Sequence, residues 1–154
     1  MKTIKLFLFL SIFLLMSCEK NEIKLEPVDG MTEGFCIVVN DEVVLNHTAI
    51  DYYDFSEHTI YLKDADSFLE DTIWSETFTV YANMDSIYSG YILSSVSSFL
   101  PEGPVIRTDP WLRENNTIPI GCIFITDASG NTNIDPRGDE KIIKALRKYN
   151  QFHE

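Results

Sequence analysis

The sequence predicts an α+β domain in which a largely antiparallel β-sheet carries a short internal helix and a C-terminal amphipathic helix packed on one face. Short segments in which apolar and polar residues alternate recur along the chain, and such alternation is typical of half-buried strands. The connections between most of these segments are too short for the crossovers that join parallel strands. Near the C-terminus the apolar residues instead recur at the spacing of a helix.

The first half of the domain contains three predicted strands and the internal helix. Residues 35–39 and 42–45 read as strands, and Asn40-Asp41 between them is typical of a tight hairpin turn. Residues 59–62 alternate as a third strand after a polar stretch. The polar residues that open the segment 64–73 are suitable N-caps for a short helix there.

A second hairpin is predicted over residues 77–93. Residues 77–82 alternate cleanly, 83–86 turn the chain and 87–93 return. Residues 117–126 form a further long predicted strand. Pro119 within this strand lacks a donor for the hydrogen-bond ladder, which favours an edge position or a β-bulge.

The chain ends in the predicted amphipathic helix. Asp135 is a suitable cap, and Pro136 is favoured at a first helical position. Ile142, Leu146 and Tyr149 form an apolar stripe that we expect to pack on the sheet. Acidic residues lie near the start and basic residues near the end, as the helix dipole favours. The basic charge of this segment therefore has a structural explanation.

Residues 1–17 have the order of an export signal. Two lysines precede an apolar run from Leu6 to Met16, which is too short to span a bilayer as a helix. The run leads into Leu15-Met16-Ser17-Cys18, which resembles the bacterial lipobox, with Met16 where a small or β-branched residue is more usual. The resemblance implies that residues 1–17 are removed and that Cys18 is lipidated. Two or more acyl chains would then hold the mature protein stably on a membrane.

Beyond the cysteine, residues 18–33 are predicted to be a lipidated flexible tether and residues 34–154 a single domain. Glu19-Lys20-Asn21-Glu22 resembles the signal that sends Bacteroidota-type lipoproteins to the outer face of the outer membrane, with Asn21 replacing an acidic residue. With the hairpin ending at residues 87–91 and the C-terminal tail, the chain resembles small Bacteroidota-type surface lipoproteins. The resemblance implies a surface-exposed, outer-membrane location and carries no activity with it.

The charge of the chain opposes one class of partner. The formal net charge is −12, and removal of Lys2 and Lys5 with the signal leaves 10 basic against 24 acidic residues, a charge of −14. Such a charge repels phosphate backbones and anionic headgroups. Nucleic acid is therefore not an expected partner, and contact with the membrane is expected through the lipid anchor.

Cys36 and Cys122 form a candidate disulfide pair. An exported chain meets an oxidising environment, in which a disulfide persists. Both cysteines also lie in apolar strand-like segments, where a free buried thiol behaves as a small hydrophobic residue. The sequence leaves both states open.

Motifs of known enzymes are missing from the sequence. It contains no G-x-S-x-G elbow, H-E-x-x-H, C-x-x-C or glycine-rich phosphate loop, and we expect neither catalysis nor a cofactor. His47 and His58 flank Asp51 and Asp54, and serines are plentiful. A surface hydrolase with a Ser/His/Asp site is therefore an alternative.

Two further patterns have structural explanations. Oxygen-bearing side chains alternate with small residues over 127–135, but this loop departs from the EF-hand and has the composition of a turn, so no metal site is expected. Arg137-Gly138-Asp139 resembles the tripeptide of integrin ligands. We expect these three residues in the first turn of a helix, where they would not protrude.

The segment Ser94–Pro104 is the strongest candidate for a working surface because it is longer than a hairpin requires. Phe99 and Leu100 precede a rigid Pro-Glu-Gly-Pro sequence and could form an apolar anchor, with Tyr88, Tyr91 and Trp111 at the same end of the domain. The alternative is that Phe99 and Leu100 pack into the core.

The sequence therefore predicts a lipid-anchored cell-surface binding protein without catalytic activity, whose partner is a protein or a glycan. A protease-inhibitor or immunity-type lipoprotein is an alternative, in which the Ser94–Pro104 loop would protrude and be rigid.

Overall fold

The computed structural model describes residues 30–64, 76–94, 96–107, 115–123 and 135–154. These residues form a curled, mixed β-sheet that resembles half a barrel, with one short α-helix near the C-terminus. The protein is thus mainly β with a small helix. The internal helix predicted over residues 64–73 falls, apart from its first residue, on the segment 65–75, which is outside the described part of the chain.

The described strands number nine. They are β1 (Phe35–Val39), β2 (Glu42–Asn46), β3 (Ile50–Asp54), β4 (Thr59–Leu62), β5 (Thr77–Ala82), β6 (Asp85–Leu93), β7 (Gly103–Arg107), β8 (Thr117–Ile123) and β9 (Phe152–His153). Their order across the sheet is β2-β1-β5-β6-β7-β8-β4-β3-β9. A 3-10 turn (Pro136–Gly138) precedes the helix α1 (Glu140–Lys148). In the described residues, no helix has the length and apolarity needed to cross a membrane.

Most neighbouring strands are antiparallel, but two pairs of the described sheet are parallel. These are β6 with β7 and β3 with β9. The tight turn predicted at Asn40-Asp41 is confirmed, and both residues have the positive φ that such turns require. Asn83 and Met84 repeat this geometry between β5 and β6, so the second hairpin turns in fewer residues than the sequence predicts.

The core lies on one face of the sheet and is closed by α1. Ile142, Ala145 and Leu146 of the helix are buried against it. The sheet contributes an aromatic and aliphatic layer that includes Phe35, Ile37, Val39, Phe78, Val80, Ile92, Ile106, Ile118 and Ile120. Burial of this apolar surface is the main favourable contribution to folding. Two positions of the predicted stripe, Ile142 and Leu146, are confirmed as core residues.

The start of the helix differs from the prediction. Asp139 caps α1 by accepting a hydrogen bond from the backbone N–H of Lys141 at 2.7 Å. Asp135 instead caps the 3-10 turn that Pro136 begins. Asp139 has extended backbone geometry, which separates the turn from the helix, so each needs its own capping side chain.

The position of Pro119 also differs from the prediction. β8 lies between β7 and β4, so it is not an edge strand. Its pairing with β7 runs over residues 120–123 and its pairing with β4 over residues 117–119. Pro119 therefore lies where the ladder with β7 has ended, and its missing N–H interrupts no bond to that strand.

The candidate disulfide between Cys36 and Cys122 is not formed, and both are free cysteines. Cys36 alternates with the core residues Phe35 and Ile37, which places it on the outer face of β1. Cys122 shares the core face of β8 with Ile120. Three strands separate the two cysteines, and they lie on opposite faces of the sheet. A disulfide needs Cα atoms within about 7 Å, so this pair cannot be bridged.

Candidate interaction groove

The connection between β6 and β7 is unusually short for a parallel pair. Tyr91 lies beside Val105 and Leu93 beside Arg107, so the chain must return along the sheet between the two strands. Parallel strands usually need a connection of about a dozen residues or more. Here the nine residues 94–102 suffice. Within this segment, Phe99 contacts Tyr91 on the face of the sheet opposite the core.

Local bonds and Pro101 fix the described residues, 94 and 96–102, of this loop. The backbone N–H of Ser97 donates to the carbonyl of Ser94 at 3.0 Å, and that of Phe99 donates to the Ser97 hydroxyl at 3.3 Å. Pro101 is buried and its ring fixes φ. Gly103 has φ +104, a conformation that favours glycine, and it leads the chain into β7.

Phe99 and Leu100 project from this loop. The Phe99 ring meets the Tyr91 ring edge to face, with the centroids 5.5 Å apart, but its side chain is still 53% exposed. Leu100 is 76% exposed and Val96 is 88% exposed. Neither Phe99 nor Leu100 belongs to the core, so the alternative of core packing is wrong. The loop presents apolar surface to solvent.

A groove of about 250 Å³ lies between this loop and strands β7 and β8. Leu93, Val105 and Pro119 form aliphatic walls, and Phe99 and Leu100 form the side nearest the loop. Gly121 lies in the lining, where an added Cβ would come no closer than 3.7 Å to another atom, the Val105 carbonyl oxygen. The absence of a side chain at this position helps to keep the groove open.

The structure brings together three of the five predicted surface residues. Phe99, Leu100 and Tyr91 lie on the outer face. Tyr88 is only 9% exposed and packs edge to face on Phe78 in the core, so its assignment to the surface is wrong. Positions 88 and 91 are an odd number of residues apart on one strand, and alternation sends them to opposite faces. Trp111 lies outside the described residues, as does Cys18.

Arg107 is not among the residues predicted from the sequence, and of the described residues that line the groove it is the one with a charged side chain. Alternation along β7 places Val105 and Arg107 on the outer face, with the core residue Ile106 between them. The sequence does not predict β7, and without this strand the alternation that places Arg107 on the outer face is not apparent. The guanidinium of Arg107 has no ion-pair partner within the described part of the chain.

The histidines considered for catalysis have structural partners. Nδ1 of His58 lies 2.7 Å from the hydroxyl of the buried Tyr53, and its Nε2 lies 3.7 Å from a carboxylate oxygen of Asp135. Burial, and next the nearby charge of Arg137, lower the pKa of His58, whereas Asp135 opposes this effect. A neutral imidazole next to a buried phenol is suited to hydrogen bonding within the fold.

His47 stacks on Tyr149, with ring centroids 4.0 Å apart, and its Nδ1 lies 3.3 Å from the Thr32 hydroxyl. Burial lowers the pKa of His47 as well, and Lys63 adds to the shift. In the part of the chain that the structure describes, neither His47 nor His58 hydrogen-bonds a serine. The described residues therefore do not assemble the Ser/His/Asp arrangement of the hydrolase alternative.

Arg137 and Asp135 form a partly buried ion pair. The guanidinium binds both carboxylate oxygens of Asp135 and also donates to the Ile120 carbonyl at 2.6 Å. The hydrogen bond from Arg137 lowers the pKa of Asp135. Arg137 points inward and Asp139 caps α1. The two charged side chains of the Arg-Gly-Asp tripeptide therefore form contacts within the fold.

The metal-binding loop considered from the sequence falls mostly on residues 124–134, outside the described residues. Among the residues that are described, no group of three or more potential His, Cys, Asp or Glu ligands comes together. The groove beside Phe99 and Leu100 is therefore the candidate site that the described geometry supports best. Comparisons of the chain with protein-family models, with curated proteins and with solved structures found no match.

Proposed function

We propose that this protein is a lipid-anchored interaction protein of the outer-membrane surface, which binds another protein through the groove beside Phe99 and Leu100 and catalyses no reaction. The observation that carries the proposal is the exposure of these two large apolar side chains along the rim of an apolar groove. Exposed apolar surface next to a concavity is typical of sites where a protein partner excludes water.

A protein partner fits this groove better than a glycan does. Sugar hydroxyls lose hydrogen bonds to water when they are buried, so a glycan site needs several donors and acceptors in its lining. Among the described residues that line the groove, none apart from Arg107 has a charged, hydroxyl or amide side chain. Apolar side chains of a partner, in contrast, would gain roughly 25 cal/mol for each Å² that they remove from water here.

The loop is also suited to binding because little of its order has to be created on contact. The turn bond between Ser97 and Ser94, the buried Pro101 and the ring contact of Phe99 with Tyr91 exist before any partner arrives. A surface that is ordered in advance loses less conformational entropy on binding. The same rigidity is compatible with the inhibitor-type alternative, for which the partner would be a protease.

The outer-membrane location in this proposal rests on Cys18 and the signal segment before it. The test is fractionation of cells that produce the parent chain or the Cys18→Ala variant. We expect the parent in the outer membrane with a lipid mass on its N-terminus, and the variant released from that membrane. Equal membrane retention of both forms, with no lipid mass on the parent, would contradict the anchoring part of the proposal.

The binding surface can be tested in intact cells with a photo-crosslinking amino acid at position 96, on the rim of the loop. We expect defined crosslinked products that disappear when Phe99→Ser and Leu100→Ser are added. The matched control is Met84→Ser, which removes an exposed apolar side chain from the turn between β5 and β6. Products that persist in the double variant, or that Met84→Ser also abolishes, would show that the groove is not the binding surface.

A further inference from the structure

We infer that the partner segment bound in the groove carries a carboxylate next to its apolar anchor, and that this carboxylate binds Arg107. The inference rests on the proposed function and specifies the chemistry of the partner. It combines the apolar lining of the groove with the one cation that the described residues place there.

Arg107 differs from the other basic residues that the structure describes. Lys63 donates to the Thr48 carbonyl, and Arg137 is paired with Asp135. The basic residues of α1 all pair with carboxylates: Lys141 with Asp85, Lys144 with Glu140, Arg147 with Glu154 and Lys148 with Glu33. Arg107 forms no such pair within the described residues, although acidic residues outnumber basic ones two to one in the chain.

The register of the sheet determines where the guanidinium of Arg107 lies. Arg107 is opposite Leu93 on the neighbouring strand, and Val105 lies two positions before it on the same face. The apolar walls of the groove therefore lie directly beside the guanidinium of Arg107. An apolar side chain held between Leu93 and Val105 would bring its own flanking residues within reach of Arg107. A planar guanidinium binds a carboxylate through two parallel hydrogen bonds, which gives direction as well as affinity.

The size of the groove favours a segment of a protein over a small molecule. Sites that enclose a whole small ligand usually measure about 300 to 1,000 Å³ and surround most of it. This groove measures about 250 Å³ and is open along one side. It has room for one or two aliphatic or aromatic side chains, which is the usual size of an anchor pocket at a protein interface.

The total charge restricts the partner further. A mature charge of −14 repels strongly acidic proteins at long range, since the fields of many charges add. The carboxylate that reaches Arg107 therefore belongs to a partner surface that is otherwise neutral or basic. Once the groove is filled, the ion pair lies beside apolar side chains and is less screened by water than an exposed pair.

The test uses the full-length, processed protein in detergent and fluorescein-labelled pentapeptides, measured by fluorescence anisotropy. Each peptide holds Leu-Phe between glycines, with Glu, Gln or Lys before or after the pair. We expect at least one Glu peptide to bind about two- to fivefold more tightly than its Gln counterpart, and the Lys peptide to bind more weakly than both. Arg107→Gln should remove the preference for Glu, and Arg107→Lys should retain part of it.

Three results would overturn this inference in distinguishable ways. If the Glu and Gln peptides bind the parent equally, and Phe99→Ser with Leu100→Ser weakens both, the groove binds apolar segments but Arg107 does not select a carboxylate. If no peptide shows binding that depends on Phe99 and Leu100, the proposed function fails together with the inference. A preference for Glu that survives in Arg107→Gln would assign the carboxylate to another cation.

Discussion

The hydroxyl of Tyr53 and Nδ1 of His58 lie 2.7 Å apart, and this hydrogen bond joins a buried strand residue to the turn between β3 and β4. His58 has φ +52, which is uncommon for any residue other than glycine. The carbonyl of His58 also accepts a hydrogen bond from the backbone N–H of Ile120. The imidazole therefore fastens a strained turn to the core, and its protonation state should influence stability.

We expect the protein to lose stability as the pH falls below the ordinary histidine pKa of 6.5. Because folding lowers the pKa of His58 and of His47, the unfolded chain binds protons more readily than the folded chain in this range. The free energy of unfolding should then be greatest above pH 6.5 and decrease towards pH 5. Urea unfolding midpoints at pH 5, 6, 7 and 8 measure this dependence.

The variant for this test is His58→Asn, since asparagine tolerates positive φ. It should flatten part of the pH dependence, and the part that remains belongs to His47. His153→Asn is the matched control on an exposed histidine. An unchanged slope in His58→Asn would refute the assignment.

We expect Gly90→Ala to destabilise the fold by about 1 to 3 kcal/mol or more. A Cβ at Gly90 would collide with the carbonyl oxygen of Pro104 and would lie 2.6 Å from the Phe78 ring. The carbonyl belongs to β7 and cannot move without disturbing the parallel pair. Gly121→Ala is the control, because its Cβ meets ordinary contact distances, and we expect a change within about 0.5 kcal/mol. Chemical unfolding of the two variants decides between these outcomes, and equal losses would show that the close approach is not the cause.

We expect the two domain cysteines to be free and to differ in reactivity. Cys36 is fully buried and burial raises its pKa to about 11, so little thiolate forms at neutral pH. Burial raises the pKa of Cys122 too, but this side chain is partly accessible. In a Cys18→Ser chain, a thiol reagent at pH 8 should label Cys122 before Cys36. Electrophoretic mobility that changes on reduction, with no thiols titrated after unfolding, would instead indicate a disulfide.

We expect Gln151→Leu to cost about 2 to 3 kcal/mol of stability. The side-chain amide of Gln151 donates to the carbonyls of His47 and Ile50, both at 2.6 Å, and is almost completely buried. Leucine would leave both carbonyls without that donor. The neighbouring exposed Asn150 has φ +57, so Asn150→Gly serves as the control and should be nearly neutral. Thermal or urea unfolding measures both, and a Gln151→Leu chain as stable as the parent would contradict the role of the amide.

The parts of the fold that could be predicted are those that depend on neighbouring residues. The hairpins around Asn40 and Asn83 follow from alternation and turn chemistry, and α1 follows from the spacing of Ile142 and Leu146. The strands β3, β7 and β9 were not predicted. β9 has only two residues and β7 contains a proline, so neither leaves a periodic signal. β9 pairs with β3, which lies far away in the sequence, so long-range pairing decides its structure.

The candidate site likewise has residues that could be predicted from their neighbours in the sequence and residues that could not. Phe99 and Leu100 stood out because two large apolar residues beside prolines in a long loop are locally unusual. The prediction for Tyr88 is wrong because Tyr88 and Tyr91 are an odd number of residues apart on β6, so their side chains point to opposite faces of the sheet. Arg107 could be found only after β7 was known to lie parallel to β6, since this pairing places Leu93 beside it.

The sheet ends in β9, which follows α1 in the chain and pairs with β3 from the first half of the domain. Neither α1 nor Gln151 can occupy its place until β1 to β8 have been synthesised, so a growing chain leaves its apolar sheet face uncovered until then. If the protein is exported as we propose, this delay in folding is useful, because a narrow translocation channel admits only an unfolded chain. Folding is then completed on the other side of the membrane, after α1 and β9 have passed through the channel.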